Sequence, residues 1–200
     1  MIDFLGFGKS AKPENFSYNM EDQAGIIEEL LSILPVWDIH IAAHSMAGAI
    51  ALLFKPGTYS HIISFSNIEG NLISEDCGML SRGITSVPFD EFKSVMYNKQ
   101  VIEFKDHHQL RFNETNPFAV YNSAKSLVNW SDSSELLNKF RSLGCRKSYF
   151  FGEENENMEV LKKIDFAQKY MVSKSGHGMM TENPNEFYSK LAEFINVENN

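Results

Sequence analysis

Cysteine is scarce, with only Cys77 and Cys145 among 200 residues. Neither has the spacing of a metal site, so the sequence predicts two reduced thiols buried for packing. Positive charge is also in deficit: 18 Lys and Arg stand against 26 Asp and Glu, a formal net charge of -8. That balance excludes the basic footprint expected of a nucleic-acid partner or of binding to an anionic membrane surface. No run of eighteen apolar residues occurs, and the opening Met1 to Phe7 is too short and lacks the basic flank of a secretory signal. A cytoplasmic location is the default. There is no internal repeat, low-complexity tract or glycine-rich phosphate loop, since Gly6-Phe7-Gly8 has neither a third glycine nor a preceding strand. What the chain does have is an ordinary hydrophobic share of 43% with 16 Phe and 9 Met. That suits one globular domain with an aromatic, adaptable core or apolar pocket.

The segment Ala43-His44-Ser45-Met46-Ala47-Gly48 carries the most chemical information. Ile39 to Ala43 is a short apolar run that reads as a buried strand, and Met46 to Phe54 is rich in helix formers. Ser45 therefore falls at a strand-to-helix turn, where the backbone is strained and only small neighbours fit. Serine is also a favoured N-cap, and that role alone would explain it. Far downstream, Ser175-Gly176-His177-Gly178 reads as a loop between a strand and the last helix. A loop-borne imidazole can serve as the base that a nucleophilic serine needs.

Elsewhere strands alternate with helices. Asn19 is a good N-cap for a helix with Met20, Ala24, Ile27, Leu30, Leu31 and Leu34 on one face, ended by Pro35. Pro56-Gly57 marks a turn before a strand over Ile62 to Ser66. From Gly70 to Arg146 strands give way to helical patterns over Phe89 to Lys105 and Pro117 to Leu143. Strand Lys147 to Gly152, helix Met158 to Gln168, strand Lys169 to Ser173 and a last helix opened by Asn183-Pro184 complete the reading. The alternation predicts an α/β fold with a mostly parallel sheet covered by helices on both faces.

Three segments carry a resemblance to the α/β-hydrolase family. Asp3-Phe4-Leu5-Gly6-Phe7-Gly8-Lys9-Ser10 resembles the family's D-x-x-G-x-G-x-S segment, Ala43 to Gly48 its nucleophile elbow, and Ser175-Gly176-His177 with Asn183-Pro184 its terminal histidine loop. The resemblance implies a core of residues 1–69 and 147–200 and an inserted helical cap of 70–146. It further implies a serine hydrolase in which Ser45 attacks, His177 is the base and the Met46 N–H holds the oxyanion, with no cofactor and no metal. The substrate would be a small, largely apolar ester or related acyl compound buried under the cap. The pair His107-His108 lies in the cap and reads as exposed.

Two departures qualify that resemblance. Only Met1 and Ile2 precede the D-x-x-G-x-G-x-S segment, where the family has three strands, a helix and an H-G oxyanion loop. The sheet is then expected to be N-terminally truncated, with a bare edge on the strand carrying Ser45 that is open to pairing with a second copy. The family's usual acid position, three residues past Gly152, is Asn155. The carboxylate that orients His177 is then Glu69, at the end of the strand Ile62 to Ser66, or Glu153 or Glu154 beside Asn155. These departures motivate an alternative function, a hydrolase-like remnant that binds a ligand or partner without efficient catalysis.

Overall fold

The computed structural model describes residues 2–35, 38–103 and 112–196, and the His107-His108 pair lies outside them. Among the described residues four strands form one sheet in the order β1 (Ile39–His44), β2 (Ile62–Ile68), β3 (Arg146–Gly152), β4 (Gln168–Val172), and every pairing is parallel. β1, the strand that runs into Ser45, is an edge strand, as the sequence predicts. Alternate residues sort to opposite faces because the side-chain period of a strand is two. Phe65, Tyr149 and Phe151 enter the main core, whereas Ile68, Phe150, Tyr170 and Val172 meet the C-terminal helix on the other face.

The helices follow from local chemistry. α1 (Met20–Ile33) starts at Asn19, whose side chain accepts from the Asp22 N–H at 2.7 Å. It packs on the main core through Met20, Ala24, Ile27 and Leu31, but Leu34 falls beyond its last turn and is exposed. α2 (Met46–Ala51) leaves the elbow and is shorter than expected, and α3 (Pro56–Tyr59) is a single turn. α10 (Pro184–Asn196) lays Phe187 and Phe194 on the second face. The Arg146 guanidinium donates to the Phe194 and Ile195 carbonyls near the end of that helix, at 3.0 and 3.1 Å. A cation is favoured there by the carbonyls and by the helix dipole.

Between β2 and β3 the described residues are helical: a 3₁₀ turn (Ser74–Cys77), α4 (Gly78–Thr85), α5 (Phe89–Glu91), α6 (Tyr97–Glu103), α7 (Pro117–Ser133) and α8 (Glu135–Ser142). The stretch Phe92–Met96 joins α5 to α6 as a π-helix, so the expected single helix changes pitch midway and turns Val95 and Ile102 out to solvent. The second expected helix breaks at Ser134, whose φ of 61° is left-handed. The expected 70–146 cap is not one packing unit. Ile84, Phe92, Val120 and Ala124 form a separate cluster with Phe7, but Leu127, Leu136, Phe140 and Leu143 belong to the main core. The end of α7 and all of α8 therefore cover the sheet rather than stand off it.

The expected helix over Met158 to Gln168 is absent. A 3₁₀ turn (Glu159–Lys162) takes its place, and Val160, Ile164 and Ala167 all reach the main core. Burying those three across so short a connection overrides the helix propensity of the segment. A turn too short to be recognised from periodicity, α9 (Met179–Glu182), sits between the histidine loop and α10.

Candidate active site

Ser45 has φ 54° and ψ −126°, a conformation outside both the helix and strand regions, and its side chain does not cap α2. The N-cap explanation of this serine therefore fails. The strain is held by packing. The Ser45 N–H donates to the Ile68 carbonyl of β2 at 3.0 Å, and Ala43 is buried behind the turn. A Cβ on Gly48 would lie 2.8 Å from Asn67 Oδ1 and 2.9 Å from Gly70 Cα, so α2 can approach the end of β2 only with glycine there. Asn67 Oδ1 in turn accepts from the Gly70 N–H at 2.8 Å, which shapes the exit of β2.

That exit presents Glu69. Its φ of 41° is left-handed, and its N–H donates to the Phe150 carbonyl at 2.9 Å. The carboxylate is buried and accepts from the Gly152 N–H at 2.8 Å, from Asn155 Nδ2 at 2.9 and 3.0 Å, and from His177 Nδ1 at 2.7 Å. Burial by itself would raise the Glu69 carboxyl. The bonds from His177, Gly152 and Asn155 outweigh it and hold the group below its ordinary value, so it is an anion at neutral pH. Because a carboxylate can only accept, the His177 proton is on Nδ1. In the neutral ring the Nε2 lone pair is then the basic one.

The histidine loop is tied down on several sides. Ser175 is buried, its Oγ donates to the Val172 carbonyl at 2.9 Å, and its own carbonyl accepts from the Glu154 N–H at 3.1 Å. The Gly176 N–H donates to Glu182 at 2.6 Å. A Cβ on Gly152 would meet the Ser175 and Gly176 carbonyls at 2.4 Å, so the loop lies directly on the end of β3.

Of the three candidate acids, Glu69 is brought to the His177 ring and the other two are not. The Glu153 carboxylate accepts from the Lys174 N–H at 2.7 Å, and that of Glu154 lies against Gly176. Both brace the loop. Asn155 occupies the family's acid position without touching the ring as acid; it secures Glu69. Sequence reasoning did not find this bond, because it joins residues 86 positions apart. His44 was also missed, although it adjoins Ser45: its Nε2 is 2.9 Å from the His177 carbonyl. Met46 opens α2, where the first N–H groups of a helix lack acceptors within it.

The D-x-x-G-x-G-x-S segment closes on itself. The Lys9 N–H donates to the Asp3 carboxylate at 3.0 Å and Ser10 Oγ to the Asp3 carbonyl at 2.6 Å, while Gly6 and Gly8 take positive φ. Gln23 and Asn116 hold the backbone of Leu5 and Gly6 at 2.8 Å, placing the segment between α1 and α7.

A strained serine between a parallel strand and a helix, an acid after the next strand and a histidine after the last strand define an α/β-hydrolase arrangement. The comparisons agree. The family model described as the alpha/beta hydrolase fold matches residues 1–54. Among solved structures, MenH from S. aureus superposes with a TM-score of 0.73 at 15% identity, covering 97% of this chain and 81% of that one. Bromoperoxidase from Bacillus anthracis gives a TM-score of 0.75 at 14% identity over 96% of this chain and 79% of the other. A structure from work on carboxylesterases of the thaumarchaeon Nitrososphaera gargenis gives 0.73 at 16% over 96% and 77%. No curated protein matches the sequence. The chain has the α/β-hydrolase fold, with a mostly parallel sheet. Among the described residues no helix is long and apolar enough to cross a membrane.

Proposed function

We propose that the protein is a serine hydrolase acting on a small, largely apolar ester or related acyl compound. The observation that carries this reading is the 2.7 Å bond from His177 Nδ1 to the buried Glu69 carboxylate, two groups that follow parallel strands at the same end of the sheet as the strained Ser45. Proteins with this fold bear names as different as bromoperoxidase and carboxylesterase, so fold alone does not choose the reaction. The Ser-acid-His set is what points to acyl transfer.

In this reading His177 Nε2 takes the Ser45 Oγ proton as Oγ attacks the substrate carbonyl, and Glu69 stabilises the imidazolium that forms. The oxyanion of the tetrahedral intermediate accepts from the Met46 N–H. On collapse the C–O bond to the leaving alcohol breaks and His177 returns its proton to that oxygen, leaving an acyl-Ser45. Water, deprotonated by His177, then attacks the acyl carbon. The acid is released and the proton goes back to Ser45. The residues need no metal or organic cofactor for these steps. The apolar substrate class is supported by the aromatic contacts of the helical insertion, where Phe89 meets Phe118 and Tyr121 with ring centroids 5.4 Å apart.

Intact mass after incubation with a fluorophosphonate tests the reading. One adduct on the wild type and none on Ser45→Ala or His177→Ala is the expected result, and a folded wild type that takes no adduct overturns it. The alternative, a binding remnant without efficient catalysis, rests on both departures, the absent H-G oxyanion loop and Asn155 in the acid position. Glu69 bonded to His177, with Asn155 securing Glu69, answers the second and leaves the first, which the adduct experiment decides. A cytoplasmic setting and pairing of a second copy along the open edge of β1 complete the proposal. Sizing across a range of protein concentrations checks the latter.

A further inference from the structure

His44 is the last residue of β1 and the covalent neighbour of Ser45, and it makes two contacts with His177. Its Nε2 lies 2.9 Å from the His177 carbonyl, 133 residues away in the chain. A carbonyl can only accept, so His44 Nε2 carries the proton and donates. The two imidazoles also pack, with ring centroids 4.5 Å apart and planes inclined by 43°.

His177 needs such support. Its side chain is 53% exposed, and Glu69 restrains the ring through Nδ1 alone. The residues on either side, Gly176 and Gly178, offer no side chain to pack against it. The anchors at Ser175 and Gly176 fix the loop before the histidine. His44 fixes the histidine's own carbonyl and supports its ring, and it does so from the strand that ends in the nucleophile.

We propose that His44 is a positioning residue for His177, coupling the strand that carries Ser45 to the loop that carries the base. The inference rests on the hydrolase reading for its catalytic consequence, but the contact it describes can be judged without turnover. A base displaced by an ångström loses on the order of a hundredfold in rate, so loss of His44 is expected to lower kcat about 10- to 100-fold with KM little changed.

The test is a mutant cycle on p-nitrophenyl butyrate hydrolysis, with His44→Phe, which keeps a ring and removes the donor, and His44→Gln, which restores a donor. His44→Phe should lose kcat, His44→Gln should recover most of it, and His44→Phe should have no further effect in a His177→Ala background. An equal loss in both backgrounds, or an unchanged kcat in His44→Phe, overturns the proposal. Proton NMR of the downfield His177 Nδ1–H, on variants whose thermal melts show them folded, gives the second readout. The resonance should be sharp in the wild type and His44→Gln and broadened by exchange in His44→Phe. An unchanged resonance in His44→Phe overturns the proposal even if the wild type takes no fluorophosphonate. That last result would separately overturn the hydrolase reading.

Discussion

A buried and a half-buried carboxylate lie within one short connection leaving β2, and their surroundings push them in opposite directions. Glu69 receives a backbone N–H, an amide side chain and the His177 ring, and it is held below its ordinary value. Among the described residues Asp76 receives only the Leu72 and Ile73 N–H groups, at 2.9 and 3.1 Å, and burial pushes it up to about 6 against them. Desolvation disfavours the charged form of both. The number and charge of the donors decide which wins. One group is thereby kept as an anion behind the His177 ring. The other closes the 3₁₀ turn at the root of the helical insertion, where an uncharged acceptor would do the same work.

Removing the charge of Glu69 gives the largest expected effect. On the proposed function Glu69→Gln keeps the size but cannot stabilise the imidazolium, so kcat on an activated ester should fall about 10³- to 10⁴-fold, as in catalytic triads that lose their acid. A loss below tenfold would mean that another carboxylate serves His177. Since Glu69 is depressed in the fold, its contribution to stability is present above its unfolded value and lost as pH falls through the folded one. The melting-temperature difference between wild type and Glu69→Gln should therefore be largest at neutral pH and shrink in acid.

Asp76 has the opposite sign. With its carboxyl raised from 3.8 to about 6, the folded state holds the proton more tightly than the unfolded chain. The group costs nothing well below pH 3.8, and its penalty grows as pH rises through that value to about 6 and then stays. A shift of about two units corresponds to at most about 3 kcal/mol. Asp76→Asn keeps an oxygen for Leu72 and Ile73 and removes the charge, so it should melt higher than wild type at pH 7 to 8 and equally at about pH 3. A destabilised variant at pH 7 would place Asp76 with Glu69, as an anion that the fold needs.

Asn155 probes how Glu69 is held. Asn155→Leu removes a donor that both carboxylate oxygens share and should lower kcat about tenfold, the effect of losing one charge-assisted hydrogen bond. Asn155→Asp should be worse, because two carboxylates within bonding distance cannot both ionise without repulsion. Wild-type activity in Asn155→Asp would show that the acid can move back to the family's usual position.

The elbow was legible because its signals are local. A short apolar run, a serine between small residues and a following helix-forming stretch occupy adjacent positions, and the fold places Ser45 at that turn. The parallel sheet followed from the alternation of such runs. The acid was not legible, since Glu69, Glu153 and Glu154 all stand near strand ends and only a contact spanning 108 residues distinguishes them. The same holds for Asn155, whose partner is set by tertiary structure. Helical pattern misled where burial overrode it, at Val160 and Ile164 in the 3₁₀ connection, and where a pitch change or a left-handed Ser134 broke a helix that propensity would have continued.

Tyr149 lies within the field of both carboxylates, and its substitution should have the smallest effect. Burial first, then the negative charges of Asp76 and Glu69, push its phenol well above the ordinary value, so it stays neutral. Its ring is fully buried in the main core, while its hydroxyl has no hydrogen-bond partner among the described residues. A buried hydroxyl without a partner has lost its water and gained nothing in return, so removing it restores that desolvation cost. Tyr149→Phe should therefore melt at or up to about 1 kcal/mol above wild type, with kcat within about twofold. A loss of stability would mean that the hydroxyl mediates between the two acids. The Asp76→Asn gain and the Glu69→Gln loss would then cease to be additive, whereas independent sites combine to within a few tenths of a kcal/mol.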